Sequence, residues 1–196
     1  MQGTGHKETG NRVSRRALAV IVLLTVPLCL VPFVARALIG EMKKDPTEMV
    51  TQYVRLDERG ARLDALSFET LKPYIDWKEE PAWGHAVVIA GYKVVDDVKQ
   101  WEVLSEIDVL IPVEFKILGL VYWETASFIP ESHTEVVKFH VKGIRDRWRI
   151  VDPILPPHVG HKRMGQLVRQ ALIDETATAR QSALSTLRDE LQKARR

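Results

Sequence analysis

Three side chains in this sequence could carry acid–base chemistry: Tyr53, Asp108 and His140. A catalytic acid or base works best inside an apolar pocket, where burial shifts its pKa towards the working pH. Asp108 and His140 each alternate with apolar neighbours, so the pattern predicts that both point away from the core. No motif fixes the geometry of the three relative to one another. They are therefore candidate catalytic residues without a catalytic signature.

Metal and nucleophile patterns are incomplete in this chain. His158 and His161 lie three residues apart, and His133 precedes them. A zinc site needs three or four ligands held by a second shell of hydrogen bonds, whereas two histidines after a run of prolines are more typical of a surface loop. The chain also lacks a Ser-His-Asp order, a glycine-rich phosphate loop and a His-Glu-x-x-His sequence. We therefore expect no metal and no cofactor.

Aromatic and apolar residues offer a second kind of site, a pocket for an apolar ligand. Phe115, Val121 and Trp123 lie along one long predicted strand and could line such a pocket. Large aromatic side chains more often fill a core than bind a ligand. Trp77 and Trp83 flank a predicted loop, so we expect these two to be the most exposed tryptophans and the best placed to anchor a partner.

The elements that position these residues follow an apolar N-terminal run. Arg15 and Arg16 precede the nineteen residues from 17 to 35, and the run ends in Ala35-Arg36-Ala37. A basic start, an apolar centre and an Ala-x-Ala exit are the parts of a secretory signal. The run is also about long enough to span a bilayer. Residues 1–37 are therefore predicted to be either a cleaved signal peptide or a signal anchor that tethers the chain through residues 17–35.

Charge and cysteine content indicate the compartment and the partners of the chain after the apolar run. Basic residues outnumber acidic ones before the apolar run, which favours an N-terminus inside the cell and an extracytoplasmic domain, periplasmic or on the cell surface. The single cysteine, Cys29, lies within the run, so the domain can form no internal disulfide. The whole chain carries a formal charge of +2, but residues 38–174 carry about four net negative charges. This balance argues against a nucleic-acid partner.

Residues 38–174 are expected to form one domain, followed by a charged helical tail over residues 175–196. Asp45 and Pro46 are a typical helix start, apolar residues follow at helical spacing, and Gly60 is a plausible stop. A second, short helix is predicted over residues 67–75. The spacing of apolar residues therefore places two helices before any strand.

The period then changes from 3.6 to 2, which predicts a sheet. The clearest strand runs from Ile107 to Ile117 and continues to Trp123, with Gly119 as the bending point. Pro112 has no backbone donor, so we expect an edge or a bulge there. Further strands are predicted over residues 86–95, 98–104, 134–141 and 148–151.

A proline-rich exit and a C-terminal helix follow the last strand. Residues 152–158 contain three prolines, and residues 161–195 are predicted helical with two apolar stripes. A helix packed on its own domain explains the stripes. A dimerising coiled coil or a helix on anionic lipid would explain them as well.

The order of elements, two helices followed by a long bent strand and a closing pair of strands, resembles that of the nuclear transport factor 2-like superfamily. The resemblance is carried by the first helix, by its exit at Asp57-Glu58-Arg59-Gly60, and by the final strands Thr134–Val141 and Arg147–Val151. It implies an α+β cone in which N-terminal helices close over a strongly curved, mostly antiparallel sheet and leave a pocket inside. Gly60-Ala61-Arg62-Leu63 and Leu155-Pro156-Pro157-His158-Val159 resemble an uncharacterised bacterial exported group of that superfamily, and that group implies no known activity.

The sequence thus favours an exported, membrane-tethered domain that binds a small apolar ligand or a protein partner without catalysis. Superfamily members include isomerases, dehydratases and hydrolases, so an enzyme with polar residues inside the cone remains an alternative. A structural protein that assembles, for example as a homodimer, through its C-terminal helix is a second alternative.

Overall fold

The computed structural model describes residues 45–63, 67–79 and 81–194. The predicted signal segment, residues 1–37, lies outside the described residues. Within those ranges, no helix is both long enough and apolar enough to cross a membrane.

Helix α1, Pro46–Glu58, opens the described chain. The side chain of Asp45 accepts a hydrogen bond from the backbone N–H of Thr47 at 2.8 Å, which caps the helix as the sequence predicted. Its buried face includes Met49, Val50, Tyr53 and Val54. A short 3₁₀ turn, Ala61–Leu63, and the one-turn helix α2, Ser67–Leu71, follow.

Six strands of the described chain form one sheet. They are β1 Ala86–Val94, β2 Glu102–Ser105, β3 Asp108–Tyr122, β4 Ser127–Ile144, β5 Arg147–Asp152 and β6 His158–Gly160. The order is β5-β4-β3-β1-β6, and β2 pairs with β3 beyond the end of β1. Every pairing is antiparallel except that of β1 with β6. The predicted α+β class is confirmed: a strongly curved, half-barrel mixed sheet carries helices packed on it.

Two neighbouring bulges bend this sheet. Leu118 is the extra residue in β3 and Ala90 is the extra residue in β1, and they lie on either side of the paired residues Ile89 and Ile117. Gly119 adopts a φ of +152°, which a residue with a side chain rarely tolerates, and it lies at the predicted bending point. Each extra residue turns the following side chains to the opposite face of the sheet.

Pro112 lies within the central strand β3, where the sequence predicted an edge or a bulge. Its carbonyl accepts a hydrogen bond from the N–H of Val95 at 3.0 Å, so its backbone faces the side of β1 and β2. On that side the β1 pairing ends at Val113 and the β2 pairing begins at Leu110. The missing donor of Pro112 therefore falls in the gap between two partner strands.

Each face of the sheet carries its own core. Helix α1 covers the concave face, where the buried set includes Tyr53, Phe115, Phe139 and Ile150. Two further helices, α3 His161–Asp174 and α4 Thr178–Ala194, cover part of the other face. The second core is built by residues from the sheet and from both helices: Ala86, Val88, Val121, Phe128, Val159, Met164, Val168, Leu184, Leu187 and Leu191.

The C-terminal region forms two helices where the apolar pattern predicted one. The carboxylate of Glu175 accepts hydrogen bonds from the N–H groups of Thr176 and Ala177, which stabilises a turn between them. The apolar stripe of α4, Leu184, Leu187 and Leu191, is buried within its own chain. This arrangement is the first of the explanations given for the stripes, a helix packed on its own domain.

Candidate functional site

Asp108 and His140 meet on the outer face of the sheet. Oδ1 of Asp108 lies 2.5 Å from Nε2 of His140, and Nζ of Lys142 lies 3.3 Å from Oδ2 of Asp108. Nδ1 of His140 faces Oδ2 of Asp152 at 3.9 Å. Both ring nitrogens of His140 are thus directed at carboxylates, an arrangement that suits pairing across strands better than proton transfer to a substrate.

The ionisation of Asp108 fits this pairing. Partial desolvation acts to raise its pKa, but the hydrogen bonds from His140 and Lys142 outweigh that effect. The pKa of Asp108 therefore lies below its ordinary value, and the carboxyl group is ionised at neutral pH. A carboxylate held in this form is a poor general acid.

Tyr53 lies on the opposite side of the sheet from this pair. Its ring is 2% exposed and packs edge-to-face against Trp77, with centroids 6.1 Å apart, and against Phe139, with centroids 5.9 Å apart. The structure therefore brings together two of the three acid–base candidates and separates the third from them by the sheet.

The three predicted ligand-lining residues divide between the two cores. Phe115 is 1% exposed on the concave face, and its ring centroid lies 4.5 Å from that of His158. Val121 is buried in the second core, and Trp123 packs against that core. The bulge at Leu118 causes this division, because it turns the following residues of β3 to the other face. Phe115 does not share a pocket with Val121 and Trp123.

The prediction that Trp77 is exposed is wrong. Ile75 forms a β-bridge with Ile150 of β5, and the N–H of Asp76 donates to the carbonyl of Ile150 at 2.9 Å. This pairing draws Trp77 into the concave core, where it is 8% exposed. Trp83 is half-buried.

A buried polar cluster lies beside Trp77 and was missed by sequence reasoning. We call Asp57, Arg62 and His158 the polar latch; in the part of the chain that the structure describes, they are the buried polar side chains. Oδ2 of Asp57 accepts the backbone N–H of His158 at 2.9 Å and lies 3.7 Å from Nη1 of Arg62. Nη1 of Arg62 donates to the carbonyl of Leu155 at 2.7 Å, and its guanidinium lies 5.5 Å from the Trp77 ring centroid.

The polar latch joins the two short segments that carried the finer resemblance, residues 60–63 and 155–159. The signal for it was present on α1: Asp57 follows Val50, Tyr53 and Val54 at helical spacing, on the face that the pattern buries. A carboxylate in that position needs a buried partner. The sequence did not reveal that these partners are Arg62, in the turn just after α1, and the backbone N–H of His158, 101 positions away.

Burial gives His158 an acid-sensitive role in stability. Desolvation lowers its pKa to about 4; the Pro156 carbonyl, 2.8 Å from Nδ1, opposes the shift, and electrostatic interactions with Arg62 and His85 reinforce it. In the unfolded chain His158 has the ordinary histidine pKa near 6.5. As the pH falls, His158 is therefore protonated in the unfolded chain at a higher pH than in the folded chain. Stability from neutral His158 is therefore complete above about pH 6.5 and is lost as the pH falls towards 4.

We predict that the free energy of unfolding falls by about 3 kcal/mol between pH 7 and pH 4 on account of His158 alone. Urea unfolding followed by circular dichroism at several pH values would measure this fall. The variant His158→Gln is expected to show a smaller fall over the same range. An identical pH dependence in both proteins would contradict the assignment.

Open grooves mark the outer surface. One groove, of about 500 Å³, lies at the bend of the sheet and is floored by Ala90 and Leu118. A second, of about 630 Å³, lies between α3 and α4. A third, of about 550 Å³, is lined by residues of the β4–β5 turn and of the segment after α2. No cluster of three or more potential metal ligands occurs among the described residues.

Neither the protein-family models, nor the curated proteins, nor the solved structures contain a match to this chain. The function is therefore inferred from its residues and their geometry.

Proposed function

We propose that this chain is an exported, membrane-tethered, non-catalytic domain of the nuclear transport factor 2-like superfamily that binds a protein partner on its surface. The order of elements supports the superfamily, since α1 and α2 precede the curved sheet and α1 covers its concave face. The basic, apolar and Ala-x-Ala pattern of residues 1–37 supports export and tethering.

The packing of the concave face favours a protein partner over a small apolar ligand. Side chains of α1 and the sheet fill this face, and Tyr53, Phe115 and Phe139 are each 2% exposed or less. The polar groups of the latch are engaged with the backbone at His158 and Leu155. A small-molecule site would instead combine an apolar cavity with a few polar groups directed into it.

The observation that carries the proposal is an exposed apolar surface on and around strand β2. We call Val98, Val103, Leu104 and Ile107 the apolar corner; each is more than half exposed. All four residues of β2 are exposed, and among the described strands β2 pairs only with β3. A strand with a free edge and exposed apolar side chains can receive an extended segment of another protein.

The charges around the apolar corner indicate the chemistry of that partner. Four exposed carboxylates, those of Asp96, Asp97, Glu102 and Glu106, lie within or beside it. They outnumber the exposed cations there, Lys99 and the Lys138 that pairs with Glu102 at 3.3 Å. Two copies that met corner to corner would bring these carboxylates together, which is unfavourable. The fitting partner is a protein that presents an extended segment of mixed basic and apolar residues.

Site-specific photo-crosslinking in the native membrane tests this proposal. We expect a photoreactive amino acid at Leu104 to give a discrete protein adduct, because the side chain lies in the apolar corner. The same amino acid at Ile173, which is apolar and 77% exposed at the end of α3, should give none. The adduct should be lost when Glu102→Lys and Glu106→Lys are combined, and kept when Glu131→Lys and Glu135→Lys are combined.

Equal crosslinking at both positions, or none at Leu104, would exclude the apolar corner as the docking surface. Native mass spectrometry of the full chain provides an independent check, and we expect that no small apolar molecule is retained. A retained small apolar molecule would support the alternative of a ligand-binding cone.

A further inference from the structure

The groove at the bend of the sheet and the groove between α3 and α4 adjoin along the first half of α3. They share His161, Lys162 and Gln166, so together they form a continuous depression that we call the basic groove. Among the described residues, five cationic side chains and one carboxylate, that of Glu58, line it. The cations are Arg59, Lys162, Arg163, Arg169 and Arg188.

Three of these cations have no neutralising partner among the described residues. Across the residues that the structure describes, the side chains of Arg59, Lys162 and Arg169 have no ion pair and no hydrogen bond. Elsewhere on the surface, Lys138 pairs with Glu102 at 3.3 Å and Lys142 with Asp108 at 3.3 Å. The basic groove therefore concentrates unpaired positive charge.

The bend of the sheet and the packing of the helices determine the position of the basic groove. Its floor contains Ala90 and Leu118, the extra residues of the two bulges, so the groove lies where the sheet bends. Nε2 of His161 lies 2.7 Å from the carbonyl of Leu191, which joins the start of α3 to α4. A Cβ on Gly160 would come within 2.9 Å of Cγ of Glu58, so the chain must pass close to α1 here.

We propose that the basic groove binds a ligand that bears phosphate groups. A phosphate monoester carries roughly 1.5 to 2 negative charges at neutral pH and a phosphodiester about one, and both accept several hydrogen bonds, which matches guanidinium and ammonium donors. The combined groove is larger than a single ion, so it fits a ligand with more than one phosphate or with a phosphate and a polar headgroup. Two sources share this chemistry, a soluble phosphate compound and the headgroup of an anionic phospholipid.

Titration calorimetry on the full chain in a neutral detergent tests the proposal, with tripolyphosphate as the soluble probe. The groove variant combines Arg59→Ala, Lys162→Ala and Arg169→Ala, and we expect it to lose about tenfold or more in affinity, from three charge contacts of modest strength each. The control combines Lys93→Ala, Lys99→Ala and Lys116→Ala, three exposed lysines outside the groove. The control also removes three positive charges, and its affinity for tripolyphosphate should stay within about twofold of that of the unmodified chain.

Dihexanoyl phosphatidylglycerol, with dihexanoyl phosphatidylcholine as its neutral reference, is the second probe. Binding of this lipid without binding of tripolyphosphate, abolished in the groove variant, identifies the headgroup as the source. Binding of tripolyphosphate with the same loss identifies a soluble compound. Absence of binding to both probes at low salt overturns the proposal, and so does an equal loss in the groove variant and the control. All proteins should first show the same circular dichroism spectrum and melting temperature, because every substituted side chain is exposed.

Discussion

Replacement of Arg62 by alanine is expected to lower the free energy of unfolding by about 3–5 kcal/mol. The Arg62 side chain is fully buried, donates to the Leu155 carbonyl at 2.7 Å and lies 3.7 Å from the carboxylate of Asp57. Its removal would leave a buried carboxylate without its counter-charge and a carbonyl without its donor. Urea unfolding followed by circular dichroism at pH 7 would measure the loss.

Arg59→Ala is the matched control for this prediction. Arg59 lies three residues earlier, at the end of α1, and its side chain is exposed. We expect this variant to change the free energy of unfolding by no more than about 0.5 kcal/mol. Comparable losses in the two variants would show that Arg62 contributes no more than a surface arginine.

The combination of Arg62→Met with Asp57→Asn would distinguish the effect of the buried charges on stability from the effect of side-chain size. It removes both charges, while asparagine keeps an oxygen that can accept the N–H of His158. Breaking one half of a buried ion pair costs more than replacing both partners. The double variant should therefore be more stable than Arg62→Ala, and a lower stability would refute this account of the polar latch.

Gly119→Ala is expected to cost several kcal/mol or to prevent folding. Gly119 has a φ of +152°, and a Cβ there would overlap the carbonyl oxygen of Ile129 and come within 2.7 Å of Cζ of Phe128. Backbone strain of this kind costs about 1–3 kcal/mol and overpacking adds about as much. Expression level, melting temperature and urea unfolding would measure the effect.

The neighbouring strand supplies the control for Gly119. Gly91 lies in β1 beside the second bulge, and no atom lies within 4 Å of the position of an added Cβ. Gly91→Ala should therefore change stability by less than about 1 kcal/mol, since alanine relieves some of the entropy cost of glycine. A similar loss in both variants would mean that the bend does not depend on the close approach at Gly119.

Local patterns predicted much of the fold. Asp45, Pro46 and the apolar spacing after them predicted α1, and the alternation along residues 107–117 predicted the first part of β3. Gly119 was correctly identified as the bending point because only glycine readily adopts its backbone conformation. These features depend on residues within a few positions of one another.

The candidate sites depend on which residues of neighbouring strands pair with one another. The local pattern of apolar residues does not determine this pairing. The alternation predicted that Asp108 and His140 point away from the core, but the pairing of β3 with β4 decided that they touch. A single extra residue at Leu118 separated Phe115 from Val121 and Trp123. The bridge between Ile75 and Ile150 buried Trp77, which its local surroundings had placed in a loop.

By itself the sequence determined the α+β class, the order of helices before strands and the place of the bend. Each follows from the period of apolar residues or from the backbone preference of one residue. The tertiary structure alone decided which charges are buried and which surfaces remain open. The N–H of His158 meets the carboxylate of Asp57 across 101 positions, and the basic groove joins the end of α1 to α3 and α4. Such contacts exist only once strand register and helix packing bring distant residues together.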